Sequence, residues 1–210
     1  MQFKDRRDAG RRLAKALAVW RGRPDVLVLG LPRGGVPVAW EVAQALGVPL
    51  DVLVVRKLGF PGQEEFAMGA IASGGIRVMS EPEGAWPVSE RELEAVVARE
   101  QAELLRREQR YRAGRPPLEM AGRTLIVVDD GPATGATMSA AVKAARAANP
   151  KRIVVAVPVA SAEAVQGVGA LADEVVCLFT PEYFRAVGLW YENFGQTSDE
   201  EVDKLLSGSA

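Results

Sequence analysis

The 210-residue chain contains no histidine and one cysteine, and each scarcity removes a class of chemistry. Without histidine there is no imidazole to act as general base near neutral pH or to ligate a transition metal. Any bound metal is then expected to be a hard cation on oxygen ligands, most simply Mg²⁺. One cysteine cannot form an intrachain disulfide, which fits a reducing cytoplasm. Cys177 lies in the apolar run Val175-Val176-Cys177-Leu178 and reads as a buried, inert thiol. No apolar run approaches the ~18 residues of a membrane span, and MQFKDRRDAGRR does not have the pattern of a signal peptide. A cytoplasmic protein with no membrane partner is expected. The formal net charge is −1 with no strongly basic stretch, which argues against nucleic acid as a partner. Aromatic residues are sparse except in the tail, where Tyr183, Phe184, Trp190, Tyr191 and Phe194 cluster.

What is present is an alternation of short apolar runs with helical patterns. A helix capped by Asp5 or Asp8 runs to about Trp20, with Leu13, Ala14, Leu17 and Val19 or Trp20 toward the core. Strands are expected at residues 26–29, 51–55, 125–128, 153–157 and 175–179. Helices are expected at 36–46, 138–148 and from Ser161 to about Leu171. The pattern predicts an α/β fold: an open, mainly parallel sheet with helices on both faces. An insertion at about 58–118 comprises a loop, a hairpin (69–72 and 76–79) and a long helix. The loop, LGFPGQEEFAMGAI, reads as irregular and mobile. After a linker at 82–87, Ser89 and Glu92 form a capping box for the helix at 90–112, whose apolar side is Leu93, Val96, Val97, Leu104 and Leu105. This helix reads as scaffold or dimer contact. An aromatic tail from about 180 to 210 forms a small hood, with a short helix capped by Ser198 or Asp199. The chain is read as one domain.

Three turns follow strands and share the chemistry of anion binding. Leu125-Ile126-Val127-Val128 ends in Asp129-Asp130, followed by Gly131, Pro132, Ala133, Thr134, Gly135, Ala136 and Thr137. A helix start offers unpaired N–H groups and partial positive charge. Gly135 permits close backbone approach, and the Thr134 and Thr137 hydroxyls add donors. After the first strand, Gly30-Leu31-Pro32-Arg33-Gly34-Gly35 forms a second such turn, with a guanidinium in it. The expected strand at 51–55 ends in Arg56-Lys57, at the rim where open α/β sheets bind ligands.

The stretch at 124–137 resembles the phosphoribosyl-pyrophosphate (PRPP) motif of type I phosphoribosyltransferases, and the tail resembles a group of predicted bacterial members. The resemblance implies transfer of the 5-phosphoribosyl group from PRPP to a nitrogenous base, with Mg²⁺ and release of pyrophosphate. It implies that Asp129 and Asp130 bind the ribose hydroxyls and Mg²⁺, and that residues 133–137 hold the 5′-phosphate. The turn with Arg33, Gly34 and Gly35 would hold pyrophosphate, neutralised by Arg56 and Lys57. Ala133 stands where members acting on hypoxanthine or guanine carry an acid and where adenine-type members, which the turn resembles more closely, have Ala. By that resemblance Glu64 or Glu65 of the loop is the candidate for proton transfer. Pro132 departs from the family pattern and removes one N–H. Trp190, Tyr191 or Phe194 could stack on the acceptor base, or could instead plug the core or an interface. A homodimer is expected. A regulator of the same fold that binds PRPP or nucleotides without turnover is the alternative. A phosphatase using Asp129 as nucleophile would not need the Thr-Gly-x-Thr turn.

Overall fold

The structure, a computed structural model, describes residues 2–79 and 87–208. All but Pro87 of the expected linker lies outside the described residues, as does the Glu65 side chain. Five strands, β1 (Val26–Gly30), β2 (Leu50–Val52), β6 (Thr124–Val128), β7 (Arg152–Val159) and β8 (Glu174–Phe179), form one parallel sheet in the order β2-β1-β6-β7-β8. Strands β3 (Val55–Phe60), β4 (Gln63–Ala72) and β5 (Ile76–Met79) form a separate antiparallel sheet.

The alternation of side chains along a strand accounts for the two layers of core. Val26 and Val28 of β1, with Ile126 and Val128 of β6, face one cluster, where helices α1 (Arg6–Ala16), α2 (Gly35–Leu46) and α6 (Asp199–Ser207) supply Leu13, Val42 and Leu205. Leu27, Leu29, Leu125 and Val127 face the other, filled by Met138 and Val142 of α4 (Ala136–Ala147) and Val168 of α5 (Ala162–Gly169). Each such fully buried side chain contributes about 1.5–3 kcal/mol. Helix α3 (Glu90–Arg112) begins at the expected capping box and packs Val96, Val97 and Leu104 against Ile71 and Met68 of the antiparallel sheet. No described helix is long and apolar enough to cross a membrane.

Three expectations need correction. Residues 51–55 are not one strand: β2 ends at Val52, and the chain turns a corner at Leu53-Val54 into the second sheet. The corner is stitched on both sides, by Leu53 N–H to Gly30 O at 3.2 Å and by Val54 N–H to Ser73 Oγ at 3.0 Å. The stretch LGFPGQEEFAMGAI is not an irregular loop but the hairpin β3–β4, turning at Pro61-Gly62. Gly59 allows it, since a Cβ there would lie 2.7 Å from Glu64 O on the partner strand. Finally, Leu105 faces solvent rather than the apolar side of α3, whereas of the two alternatives at the end of the first helix Trp20 is the buried one and Val19 is exposed.

Candidate active site

Strands β1 and β6 lie side by side with Gly30 opposite Val128, so the turns that follow them must share one rim. The turns touch. Leu31 N–H donates to Val128 O at 2.9 Å, and the Pro32–Arg33 peptide is cis. A Cβ at Gly34 would overlap the Asp130 carboxylate, and one at Gly35 would lie 2.7 Å from Val128 O and 3.1 Å from Asp129 Oδ1. Two glycines therefore let the Gly-rich turn press its backbone directly on the paired acids.

Those acids differ in surroundings. Asp129 Oδ1 accepts the Asp130 backbone N–H at 2.9 Å. Its carboxyl is part-exposed but densely surrounded, and burial first, then the neighbouring Asp130 charge, pushes its pKa well above the usual carboxylate range. Asp130 instead accepts a hydrogen bond from Arg6 Nε at 2.7 Å. Arg6 also donates to Gly195 O at 2.7 Å, and its guanidinium lies 3.9 Å from the centre of the Phe194 ring. No feature of the sequence pointed to Arg6, which sits in an ordinary charged first turn of α1.

The turn after the acids is built to stay open. Gly135 caps α4 in the left-handed region (φ 75°) without a side-chain cap hydrogen bond, and Thr134 Oγ1 accepts the Ala136 N–H at 3.4 Å. Ala133, Thr134, Ala136 and Thr137 are exposed. Ser161, expected only to cap α5, does so through Ala164 N–H at 3.0 Å and also donates to Ala133 O at 2.7 Å. It thus ties the phosphate-sized turn to the next strand–helix junction.

Arg56 and Lys57 lie within β3 of the antiparallel sheet, not at the end of a parallel strand. They still reach the rim: with Pro32, Thr137 and Glu64 they line a cavity of about 440 Å³. The far wall is helix α3, which supplies Arg99, Glu100 and Arg107. A helix expected to serve as scaffold thus contributes charged groups beside the site. Arg56 is held by Glu100 at 2.7 Å, whereas Lys57 makes no ion pair with a described side chain. Arg33 lies 3.9 Å from Asp199 at the start of α6.

The hood forms as the N-terminal segment pairs with the tail, through Phe3 N–H to Trp190 O and Glu192 N–H to Phe3 O, both 2.8 Å. Tyr191 is buried between Phe3 and Phe194, and its hydroxyl donates to Asp130 O. Trp190 packs on Phe179 and Phe184. Tyr191 and Trp190 are committed to packing, whereas Phe194 stays 36% exposed and Tyr183 78% exposed.

The sequence model of the phosphoribosyl transferase domain matches residues 3–184, a span that includes both turns and the acids. The chain belongs to that family. Family members of two Mycobacterium tuberculosis strains, provisionally named phosphoribosyl transferase, are 51% identical over 205 residues, or 97% of this chain. The chain spans only 46% of the length of these relatives. The crystal structure of TT1426 from Thermus thermophilus is 49% identical, with a TM-score of 0.91 over 100% of both chains. A Neisseria gonorrhoeae protein solved with bound ppGpp shares the fold at 16% identity, with a TM-score of 0.51 over 100% of this chain and 96% of that one.

Proposed function

We propose that this phosphoribosyl transferase domain moves the 5-phosphoribosyl group of PRPP to a nitrogenous base and releases pyrophosphate. The observation that carries the reading is the apposition of the two turns, in which Gly34 and Gly35 bear directly on Asp130 and Asp129 beside the open start of α4. Backbone N–H groups and the Thr134 and Thr137 hydroxyls would hold the 5′-phosphate. Asp129 and Asp130 would accept the ribose hydroxyls. The turn carrying Arg33, Gly34 and Gly35, with Lys57, would hold the diphosphate as the anomeric C–O bond breaks. Charge then leaves the sugar for a site already lined with donors, and the cost of reorganising solvent is avoided.

Mg²⁺ fits this site only as a shared ion. Among the described residues no group of three or more Asp, Glu, Cys or His could hold a metal. Asp129 and Asp130 supply part of an oxygen donor set, and burial with the Asp130 charge raises the Asp129 pKa, a shift that a bound cation would reverse. Substrate oxygens and water would complete the coordination, as is usual for Mg²⁺. When bound, the ion would offset charge on the diphosphate.

Glu64, exposed on β4 and lining the cavity, remains the candidate for proton transfer, since Ala133 cannot serve. The acceptor is assigned to a groove of about 490 Å³ between Ser161 and Tyr183, beside the hood. Pyrophosphate release from PRPP and Mg²⁺ should appear with one or more members of a panel of purine, pyrimidine and pyridine bases. PRPP binding by calorimetry should vanish in the Asp129→Asn/Asp130→Asn double variant. Binding undiminished in that variant would overturn the assignment.

A further inference from the structure

The cavity behind the Gly-rich turn holds more positive charge than its internal ion pairs consume. Arg56, Lys57, Arg99 and Arg107 line it against Glu64 and Glu100. Glu100 is shared: one carboxylate oxygen accepts Arg56 at 2.7 Å and the other Arg99 at 3.1 Å. That carboxylate is almost fully buried, so it pins two guanidiniums side by side on the cavity wall. One negative charge between two cations leaves each with N–H groups to spare. Arg107 is held similarly, through Glu103 at 2.7 Å, which Arg106 shares at 2.8 Å. The cavity volume lies in the range of small-ligand sites, and walls of low dielectric concentrate the field of one sign of charge. Pro32 and Thr137 line the same space, so it begins where the Gly-rich turn meets the start of α4.

We infer that helix α3 is part of the diphosphate site, with Arg99 and Arg107 joining Arg56 and Lys57 in binding inorganic pyrophosphate or the diphosphate end of the donor. Glu100 is the positioning residue that holds Arg56 and Arg99 together on the cavity wall. This rests on the transferase reading for the identity of the anion, but the site itself is defined by the cavity. Both arginines have solvent-accessible side chains, at 59% and 33%, so their replacement leaves the core intact.

The test is calorimetry on the full chain with inorganic pyrophosphate and, separately, ribose 5-phosphate. The Arg99→Met/Arg107→Met variant should bind pyrophosphate about 30-fold more weakly, the loss expected for charge-assisted contacts. Ribose 5-phosphate, read by the turn at 133–137, should bind as in the parent protein. Arg99→Lys/Arg107→Lys should recover most of the loss. Pyrophosphate binding unchanged in the Met variant overturns the inference. So does an equal loss of both ligands, which would make α3 a scaffold only. Absence of ribose 5-phosphate binding in the parent protein would count against the transferase reading instead, while the pyrophosphate arm still reports on the cavity.

Discussion

Arg6 and Asp130, 124 residues apart in the chain, meet at 2.7 Å with both side chains largely withdrawn from water. The contact closes the hood over the acids, because the same guanidinium faces Phe194 and holds the Gly195 carbonyl. Arg6→Met would strand the Asp130 carboxylate next to Asp129, at a cost of about 3 kcal/mol to the ligand-free protein. Thermal unfolding should show a lowered midpoint that PRPP with Mg²⁺ substantially restores. A midpoint unchanged without ligand would show that the pair contributes nothing.

Gly34 has ordinary helical backbone angles, so alanine there introduces no backbone strain. Its methyl group would collide with the Asp130 carboxylate and push the two turns apart. Gly34→Ala is expected to cost about 1–3 kcal/mol through overpacking and to abolish measurable PRPP binding. Wild-type affinity in this variant would mean that the turns need not touch for the donor to bind.

The pH dependence of the ligand-free protein should carry the mark of Asp129. Its folded-state pKa is raised, chiefly by burial, so the native state binds its proton more tightly than the unfolded chain does. The stability it contributes is therefore complete below the ordinary carboxylate pKa and disappears as pH rises through the raised value. Asp129→Asn should flatten that decline in urea unfolding measured from about pH 5 to about pH 9. Parallel curves for the two proteins would contradict it. Binding of Mg²⁺ with PRPP should strengthen over the same rise, since the ligand needs the ionised carboxylate.

Ser161 makes two contacts through one hydroxyl, capping α5 and holding Ala133 O. Ser161→Ala should cost about 1–2 kcal/mol in stability, by loss of the cap and the bond. It should also raise the KM for PRPP several-fold, because the turn at 133–137 loses its tether. Loss of stability with an unchanged KM would assign Ser161 to the cap alone.

Much of the parallel sheet could be read along the chain, because its cues are local. Four-residue apolar runs marked β1 and β6, the first closed by Gly30 and the second by Asp129-Asp130, and the capping box placed the start of α3 at Glu90. The corner at Leu53-Val54 was not legible. Both residues are as buried and apolar as a strand interior, and only hydrogen bonding to two different sheets separates them from one. The hairpin β3–β4 was missed for a related reason. Its turn and the described start of β4 are exposed while the end of β3 and the end of β4 are buried in continuous runs, so the alternation that betrays a half-buried strand is absent.

By itself the sequence determined the acids, the glycines and the open helix start, because these act through backbone geometry within a few residues. Only the tertiary structure decided what surrounds them. Arg6 arrives from the first helix, Tyr191 from the tail and Arg99 and Arg107 from α3, each brought by packing across long sequence separations. Such contacts leave no period or spacing in the chain. The strand–acid–turn–helix motif could be recognised from its own residues, whereas its hood and its cationic wall exist only once the sheets have packed.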